Sequence, residues 1–466
     1  MEYQKGFSES DLNQLSREEL LEGYLQLRKL VEELRQENEA LKKKLDSHPR
    51  PPTTSKNSSQ PPSRDQKTNS VKSHRTHRHG PPKGHEKHER QMISEPNRVI
   101  KLRNEHCEKC QAEMDGKERL IHLNQITEVP ESRSQVIEVR QYEQSCPRCG
   151  HQQVAQPPAG LEMDRRFGSR LESTVVYYRQ EQHMSYQRTQ RAMHDLHGVE
   201  ISQGGIDGIM HRTGNKGIVA AQPIQTTVRQ SAVIYSDETG SRVAGDNWWE
   251  WVFCTGKAIW HEIRFDRSFD VIREFMETAQ AEVWVSDCHG AQLKAPARQH
   301  QLCLAHQIRN LQAVMDGDPQ LRWPRAMQFL FHYAIHLHHQ RSTFSDTQFA
   351  AQVARVEYHC SRLLQRSLSS PDAKRLQKRY RKHRDKLFVF LYRQDVEPTN
   401  NVSERALRAS VIHRKVTGCF RSAWGAKAFA ALASVIDTAE LSGCNAFAAI
   451  QSLTGSPSLP IPVGCE

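Results

Sequence analysis

The chain has 466 residues, of which 37% are hydrophobic and 26% charged, and its formal net charge is +11 at pH 7. This length accommodates about two to four domains, and the low hydrophobic fraction predicts that part of the chain is solvated helix or linker. No stretch approaches the roughly 18 apolar residues of a membrane helix, and the N-terminus lacks the apolar region of a secretory signal. We therefore expect neither a membrane span nor secretion.

The basic residues give a pI near 9.1, which favours a polyanionic partner, with nucleic acid ahead of a membrane surface. A solvated basic surface is the alternative. The chain has 11 cysteines, four of which form two Cys-x-x-Cys pairs. That pattern is typical of a reducing compartment and a metal site rather than of a disulfide framework.

Residues 15–46 have the heptad pattern of a coiled coil. One set of positions has a leucine every seven residues, and a second set is apolar apart from one asparagine. These sets are Leu20, Leu27, Leu34 and Leu41, and Tyr24, Val31, Asn38 and Leu45. A single buried asparagine at such a position fixes the register of a parallel dimer. We predict a homodimer, and the alternative is one amphipathic helix packed on its own domain.

Residues 49–95 are rich in proline, serine, histidine, lysine and arginine and have hardly any large apolar side chains. Such a stretch cannot offset the entropy cost of ordering, which predicts a disordered basic linker. Its basic run from His74 to Arg90 either follows DNA phosphates or serves as a solvated tether.

Residues 99–155 contain Cys107-x-x-Cys110 and Cys146-x-x-Cys149. Two such pairs suit a tetrahedral Zn²⁺ site with four thiolate ligands and no position open to water, so we predict a structural zinc ribbon. Unpaired buried thiols are the alternative. Between the pairs, residues 135–142 alternate like a β-strand.

Residues 160–222 have the pattern of a helical domain. Helices are predicted over Ser185–His194 and Ser202–Arg212, with a turn at Leu196–Val199 and Ser202 as an N-cap. Two short helices around a glycine-containing turn suit a DNA-binding helix-turn-helix, although any helical hairpin looks similar.

From residue 230 the pattern becomes mixed α/β. It predicts three strands, at Ala232–Ser236, Trp248–Cys254 and Ala258–Arg264. A helix over Phe269–Thr278, a fourth strand at Ala281–Ser286 and a long helical region over 304–394 follow. The last of these is very basic between Lys374 and Lys386, which indicates either a phosphate-contacting face or a solvated one. Helices after Pro398 and over Ala426–Ala439 precede a proline-rich C-terminal tail.

Three acidic residues occupy positions suited to metal binding. Asp237 and Asp287 each end a predicted strand, with a glycine three residues later, and Glu404 lies in the first turn of a helix, where it could pair with Arg408. Three converging carboxylates could hold two Mg²⁺ ions for an in-line displacement at phosphorus. From spacing alone, isolated turn and helix acids are the favoured interpretation.

Cys303-x-x-His306 forms a fourth feature. It is half of a zinc site without an evident partner pair, or it places His306 to contact a scissile phosphate or transfer a proton. A structural histidine is the alternative.

Together these stretches resemble the insertion-sequence-66 family of bacterial transposases. The resemblance covers roughly residues 15–450. It includes the order of the N-terminal parts and four motifs: Ser236–Gly240, Val285–Asp287, Cys303–His306 and Glu397–Arg408. One departure is Asp287-Cys288-His289-Gly290, where a glycine and an aromatic residue are expected soon after the acid.

The resemblance implies a multidomain α/β protein with a ribonuclease-H-like catalytic domain over 230–440, a helical insertion over 307–395, and a tail over 441–466. It implies a DDE triad of Asp237, Asp287 and Glu404 that holds Mg²⁺. His306 is predicted from its own motif as a further catalytic residue. The implied partner is double-stranded DNA, at the element ends and the target. The second copy of the chain is predicted from the heptad pattern alone, and small accessory proteins of the same element are further candidate partners.

The function predicted is therefore a cytoplasmic, nucleoid-associated DNA transposase that cleaves phosphodiesters and transfers strands. Two alternatives remain open at this stage. One is a non-catalytic DNA-binding regulator with zinc, zipper and a degenerate nuclease domain. The other is a ribonuclease-H-like nuclease that cuts DNA but does not join it.

Overall fold

A computed structural model describes residues 16–46, 53–54, 56–58, 91–114, 119–129, 134–157, 166–418 and 420–455. Its contacts divide the chain into two compact units, one comprising residues 1–66, 139–190 and 201–466, and the other comprising 67–138 and 191–200. The predicted linker, 49–95, lies almost entirely outside the described residues, as does the end of the chain after residue 455.

The smaller unit contains the first cysteine pair. His106 and Glu113 form an isolated antiparallel bridge across it, and the Cys107 N–H donates to the carbonyl of Ala112 at 2.9 Å. The strand predicted over 135–142 is not present. Val136 and Ile137 are exposed there, so their alternation has no apolar surface to pack against.

The larger unit begins with helix α1, Arg17–Asp46, and a two-stranded antiparallel hairpin of β1, Glu143–Ser145, and β2, Gln152–Val154. Helices α2–α5 are Ser169–Gln180, Tyr186–His197, Gln203–Ala220 and Gln222–Arg229. The part of α3 from Arg191 onward belongs to the smaller unit. The two helices predicted at 185–194 and 202–212 are confirmed. The second is longer than predicted, and its N-cap Ser202 accepts a hydrogen bond from the N–H of Gly205 at 3.0 Å.

A five-stranded mixed sheet forms the centre of this unit, in the order β5-β4-β3-β6-β7. Its strands are β3 Val233–Val243, β4 Asp246–Cys254, β5 Ile259–Arg264, β6 Ala281–Ser286 and β7 Ala297–Leu302. Strands β3, β4 and β5 pair antiparallel, whereas β6 pairs parallel with both β3 and β7. Helix α6, Phe269–Met276, connects β5 to β6.

Two strand predictions need correction. Asp237 does not end its strand, because β4 pairs with β3 as far as Val243, and Gly240 lies in register with Trp249. The chain turns instead at Ala244 and Gly245, both of which have positive φ, as in a tight hairpin. Strand β7 was missed because its sequence is largely polar, which an edge strand tolerates.

Seven α-helices follow β7 in the described residues. Helices α7–α10 are Leu304–Gly317, Arg322–His339, Asp346–Gln365 and Pro371–Lys382. Helices α11–α13 are Asn401–Thr417, Ala423–Leu441 and Ala446–Thr454. The last of these falls within the predicted tail, where α13 packs against α2.

A large hydrophobic core joins sheet residues such as Val285 to helix residues such as Leu311, Phe331 and Tyr380. This packing fixes the start of α7 beside the ends of β6 and β7. The chain is a mixed α/β protein with a central mixed sheet. No helix among the described residues is both long and apolar enough to span a membrane.

Candidate active site

Asp237 and Asp287 occupy matching positions relative to two adjacent strands. Asp237 follows the part of β3 that pairs in parallel with β6 from Val233 to Tyr235, and Asp287 comes directly after β6. Because Tyr235 pairs in parallel register with Val285, the two aspartates, each two residues further on, lie next to each other. Both side chains are half-buried.

The environment of Asp237 is strongly acidic. Burial raises the pKa of this carboxyl well above its usual value, and the negative charges of Glu238, Asp287 and Glu404 raise it further. The N–H of Glu238 donates to its Oδ1 at 2.9 Å. The three sequence-predicted acids therefore lie within electrostatic range of one another.

Hydrogen bonds connect the backbone next to each acid. The buried side chain of Asn400 donates to the carbonyl of Ser236 at 2.8 Å, one residue before Asp237. The Asn400 N–H donates to the Sγ of Cys303 at 3.2 Å, and the Cys303 N–H donates to the carbonyl of Ser286 at 2.8 Å. These bonds join β3, β6 and the start of α11, which carries Glu404.

Glu404 faces two side chains of α7. The Nη2 of Arg309 donates to its Oε1 at 2.9 Å, and the Nδ1 of His306 lies 3.5 Å from the same oxygen. The predicted partner Arg408 is exposed, and it is Arg309 that forms the ion pair. Sequence spacing could not reveal this pair because 95 positions separate the two residues.

His306 lies in the first turn of α7, and only 16% of its side chain is exposed. Burial and the charge of Arg309 lower the pKa of His306, while Glu404 and Asp287 oppose that shift. The net effect favours a neutral imidazole that can accept a proton or a hydrogen bond. The structure thus brings His306 together with the three acids.

Sequence reasoning missed Glu238, whose side chain is almost fully buried. It accepts hydrogen bonds from Gln292 at 2.7 Å and from the Nη2 of Arg267 at 2.9 Å. These hydrogen bonds hold its carboxylate in place, which indicates a supporting role. The only signal in the sequence was its position next to Asp237.

The four predicted zinc ligands form two separate turns, which belong to different compact units. Backbone N–H groups of Cys110 and Lys109 lower the pKa of the Cys107 thiol, and those of Arg148 and Cys149 lower the pKa of Cys146. In the second turn, Gly150 has a φ of +73°. Each turn therefore favours the thiolate form, which is the form that ligates Zn²⁺.

The sheet and the carboxylates at its edge define a mixed α/β protein with an acid-lined candidate active site. The family model described as Transposase IS66 family matches residues 165–428. That range is more than half of the chain and includes Asp237, Asp287, His306 and Glu404, so the chain belongs to this family. Membership implies a transposase role with DNA as the partner. A comparison with curated proteins found no match.

Proposed function

We propose that this protein is a DNA transposase that binds the ends of its mobile element, hydrolyses a phosphodiester there and transfers the freed 3′-OH to target DNA. The observation that carries the proposal is the convergence of Asp237, Asp287 and Glu404 from β3, the end of β6 and α11. Their mutual electrostatic effect on the Asp237 carboxyl supports one shared site.

The topology supports a ribonuclease-H-like catalytic domain. Three antiparallel strands continue into two parallel ones, and the first acid lies on the central strand of the five. Helices α7–α10 occupy the long interval between the second and third acids, as expected of the helical insertion predicted over 307–395.

The acids at this site suit Mg²⁺, which prefers carboxylate oxygens and keeps waters and phosphate oxygens as further ligands. Asp237, Asp287 and Glu404 would hold it. When bound, Mg²⁺ activates the attacking oxygen and stabilises the leaving one. The raised pKa of Asp237 is what a cation would relieve, because a positive charge favours its ionised form.

The side chains around the acids have distinct parts in this proposal. Neutral His306 accepts a proton or contacts the scissile phosphate. Arg309 neutralises Glu404 as long as no cation is bound. Once Mg²⁺ is bound to Glu404, Arg309 would be free to contact a phosphate oxygen. Asn400 holds the acid-bearing helix on β3.

DNA binding is assigned to the zinc ribbon, the helices of 160–222 and the basic helix α10. Lys374, Lys378 and Lys382 are exposed on α10 at intervals of four residues, so they share one face. By contrast, Arg375 and Arg381 of the same helix have partners within the protein. The lysine face is therefore the part of α10 best suited to phosphates.

Dimerisation is assigned to α1. Leu27, Val31 and Leu34 are exposed on this 30-residue helix, and such a stripe is buried when two copies form a coiled coil. A homodimer would bring two catalytic domains to the two ends of an element. Accessory proteins of the same element are further candidate partners, and the protein would act at the bacterial nucleoid.

The direct test is a Mg²⁺-dependent cleavage assay on labelled DNA that carries the flanking repeats of the source element. It compares the wild type with Asp287→Ala. We expect cleavage that leaves a 3′-OH with the wild type alone, followed by joining to target DNA. Tight binding without cleavage by either protein would contradict the proposal and favour the non-catalytic regulator.

A further inference from the structure

Beside the acids lies a group of side chains with a different ligand chemistry. The Sγ of Cys303, a ring nitrogen of His306 and a carboxylate oxygen of Glu404 all lie within 4.8 Å of one another. Cys303 and His306 come from the start of α7, and Glu404 comes from α11. A thiol and an imidazole are not Mg²⁺ ligands, so a nuclease mechanism leaves Cys303 unexplained.

We propose that Cys303, His306 and Glu404 form an inhibitory binding site for Zn²⁺ or a similar borderline-soft cation, which withdraws Glu404 from the catalytic acids. The binding site stands on the geometry alone, whereas the inhibition rests on the proposed function. Tetrahedral Zn²⁺ bonds to sulfur, nitrogen and oxygen are about 2.0–2.3 Å long. Small side-chain movements would bring the three ligand atoms within that reach.

Each of the three ligand atoms can reach a common cation. The buried Sγ of Cys303 lies at the start of α7 and accepts the Asn400 N–H at 3.2 Å. Burial raises the pKa of this thiol to about 11, so a bound cation must displace its proton. The Nδ1 of His306 is buried without a hydrogen-bond partner in the described part of the chain. The carboxylate of Glu404 is 26% exposed, which leaves a route for an ion to enter.

One cationic side chain already occupies part of this site. Arg309 donates to the same Glu404 oxygen, Oε1, that faces His306. An incoming Zn²⁺ must displace Arg309 from that oxygen, so the two cations compete for one carboxylate. Removal of Arg309 should therefore tighten metal binding, whereas removal of a ligand should weaken it.

Cobalt binding to the full chain tests the site directly, because a thiolate bound to Co²⁺ gives a near-ultraviolet charge-transfer band. The chain is first given one equivalent of Zn²⁺, which the four thiolates of the predicted ribbon hold more tightly than a three-ligand site does, so that added Co²⁺ reports on the second site. We expect the wild type to show a saturable band that Cys303→Ser abolishes. Serine can accept the same Asn400 hydrogen bond, and Cys444→Ser, in the loop before α13, is the matched control.

Two further variants sharpen the test. His306→Asn should weaken the cobalt band several-fold, and Arg309→Gln should lower the Co²⁺ concentration for half-saturation several-fold. Identical cobalt titrations of the wild type, Cys303→Ser and Cys444→Ser would overturn the site.

Inhibition is measured in the Mg²⁺-dependent cleavage assay, with each protein normalised to its own activity without Zn²⁺. Cys303→Ser should need at least tenfold more Zn²⁺ for half-inhibition than Cys444→Ser. Equal inhibition of the two would overturn the regulatory part. If no protein cleaves DNA, the proposed function fails, and the cobalt titration alone still decides whether the metal site exists.

Discussion

The side-chain amide of Asn400 donates to the main-chain carbonyl of Ser236 at 2.8 Å, and Asn400 is fully buried. This bond links the N-cap of α11 to the residue before Asp237. The position of Glu404 relative to Asp237 therefore depends on the neutral side chain of Asn400. A buried carbonyl left without this donor would be costly.

Asn400→Ala should lower cleavage by about 100-fold, the effect expected when catalytic groups shift by about 1 Å. It should cost about 1–3 kcal/mol of stability, because a buried polar group loses its partner. Cleavage rates and urea unfolding would measure the two effects. Asn401→Ala changes the exposed neighbour and should alter neither, and equal activity of both variants would refute the positioning role.

Asp237→Asn should abolish cleavage but leave DNA binding nearly intact, because it removes a metal ligand and not a phosphate contact. It should also raise the melting temperature of the metal-free protein by a few degrees. The pKa of this carboxyl is raised well above 3.8, so its ionisation destabilises the fold increasingly as pH rises from 3.8 through the folded pKa.

Thermal melts with and without Mg²⁺ would check this second effect. Mg²⁺ should stabilise the wild type and have little effect on Asp237→Asn. Asp246→Asn, at the exposed tip of the same hairpin, should behave as the wild type does. A loss of DNA binding as large as the loss of cleavage would contradict the role of Asp237.

The sequence predicted some parts of this fold and not others for identifiable reasons. Strand β6, Ala281–Ser286, was located to the residue because its apolar run is compact. The extension of β3 past Asp237 was missed because Glu238–Arg242 is polar and is held in the strand by pairing with β4.

Some residues of the candidate site could also be predicted from the sequence, and others could not. The three acids were found by motif and family resemblance, since their spacing alone left isolated acids as an alternative. The pairs Arg309–Glu404 and Asn400–Ser236 span 95 and 164 positions. Contacts so distant in sequence arise from tertiary packing, and no local pattern marks them.

His261 should make the stability of the fold depend on pH above neutrality. It is fully buried, with Nδ1 3.0 Å from Glu250 and Nε2 3.0 Å from Asp437. Although burial lowers its pKa, the hydrogen bonds and charges of Asp437 and Glu250 raise it to about 9, against an ordinary value of 6.5. The raised pKa stabilises the fold fully below pH 6.5, and this contribution is lost as pH rises through about 9.

The rise in the His261 pKa from 6.5 to about 9 corresponds to about 3 kcal/mol of folding stability. Because Ser410 of α11 donates to Glu250 at 2.6 Å, the loss should also loosen the helix that carries Glu404. Denaturant unfolding between pH 6 and 10 measures the effect, which His261→Gln should remove and the exposed control His332→Gln should retain. A wild-type stability that is constant across this range would contradict the charged network.

Cys146→Ser should remove one Zn²⁺ per chain and weaken binding to the element ends, because it deletes a ligand of the predicted ribbon. Zinc content by mass spectrometry of the metal-bound protein and DNA binding by titration would measure both. Cys254→Ser, a buried cysteine of β4, should keep the zinc. Unchanged zinc stoichiometry in Cys146→Ser would rule out the four-thiolate site.

Gly214→Ala should destabilise the contact between α4 and α12. An added Cβ would lie 2.9 Å from the Cβ of Ala428, a backbone-fixed atom that cannot move aside without separating the helices. We expect a cost of about 1–3 kcal/mol from overpacking, which exceeds the gain of about 0.5–1 kcal/mol from replacing glycine in a helix.

Gly208→Ala provides the matched control on the same helix, because its Cβ would meet only the flexible end of Arg212 at 3.4 Å. That variant should gain about 0.5–1 kcal/mol. If α4 packs against α12 as described, urea unfolding should show a lower stability for Gly214→Ala and a higher stability for Gly208→Ala than for the wild type. Helix α4 belongs to the predicted DNA-binding helices, and α12 packs on β5 of the central sheet. If Gly214→Ala also weakens binding to the element ends and Gly208→Ala does not, the packing of α4 on α12 also positions the DNA.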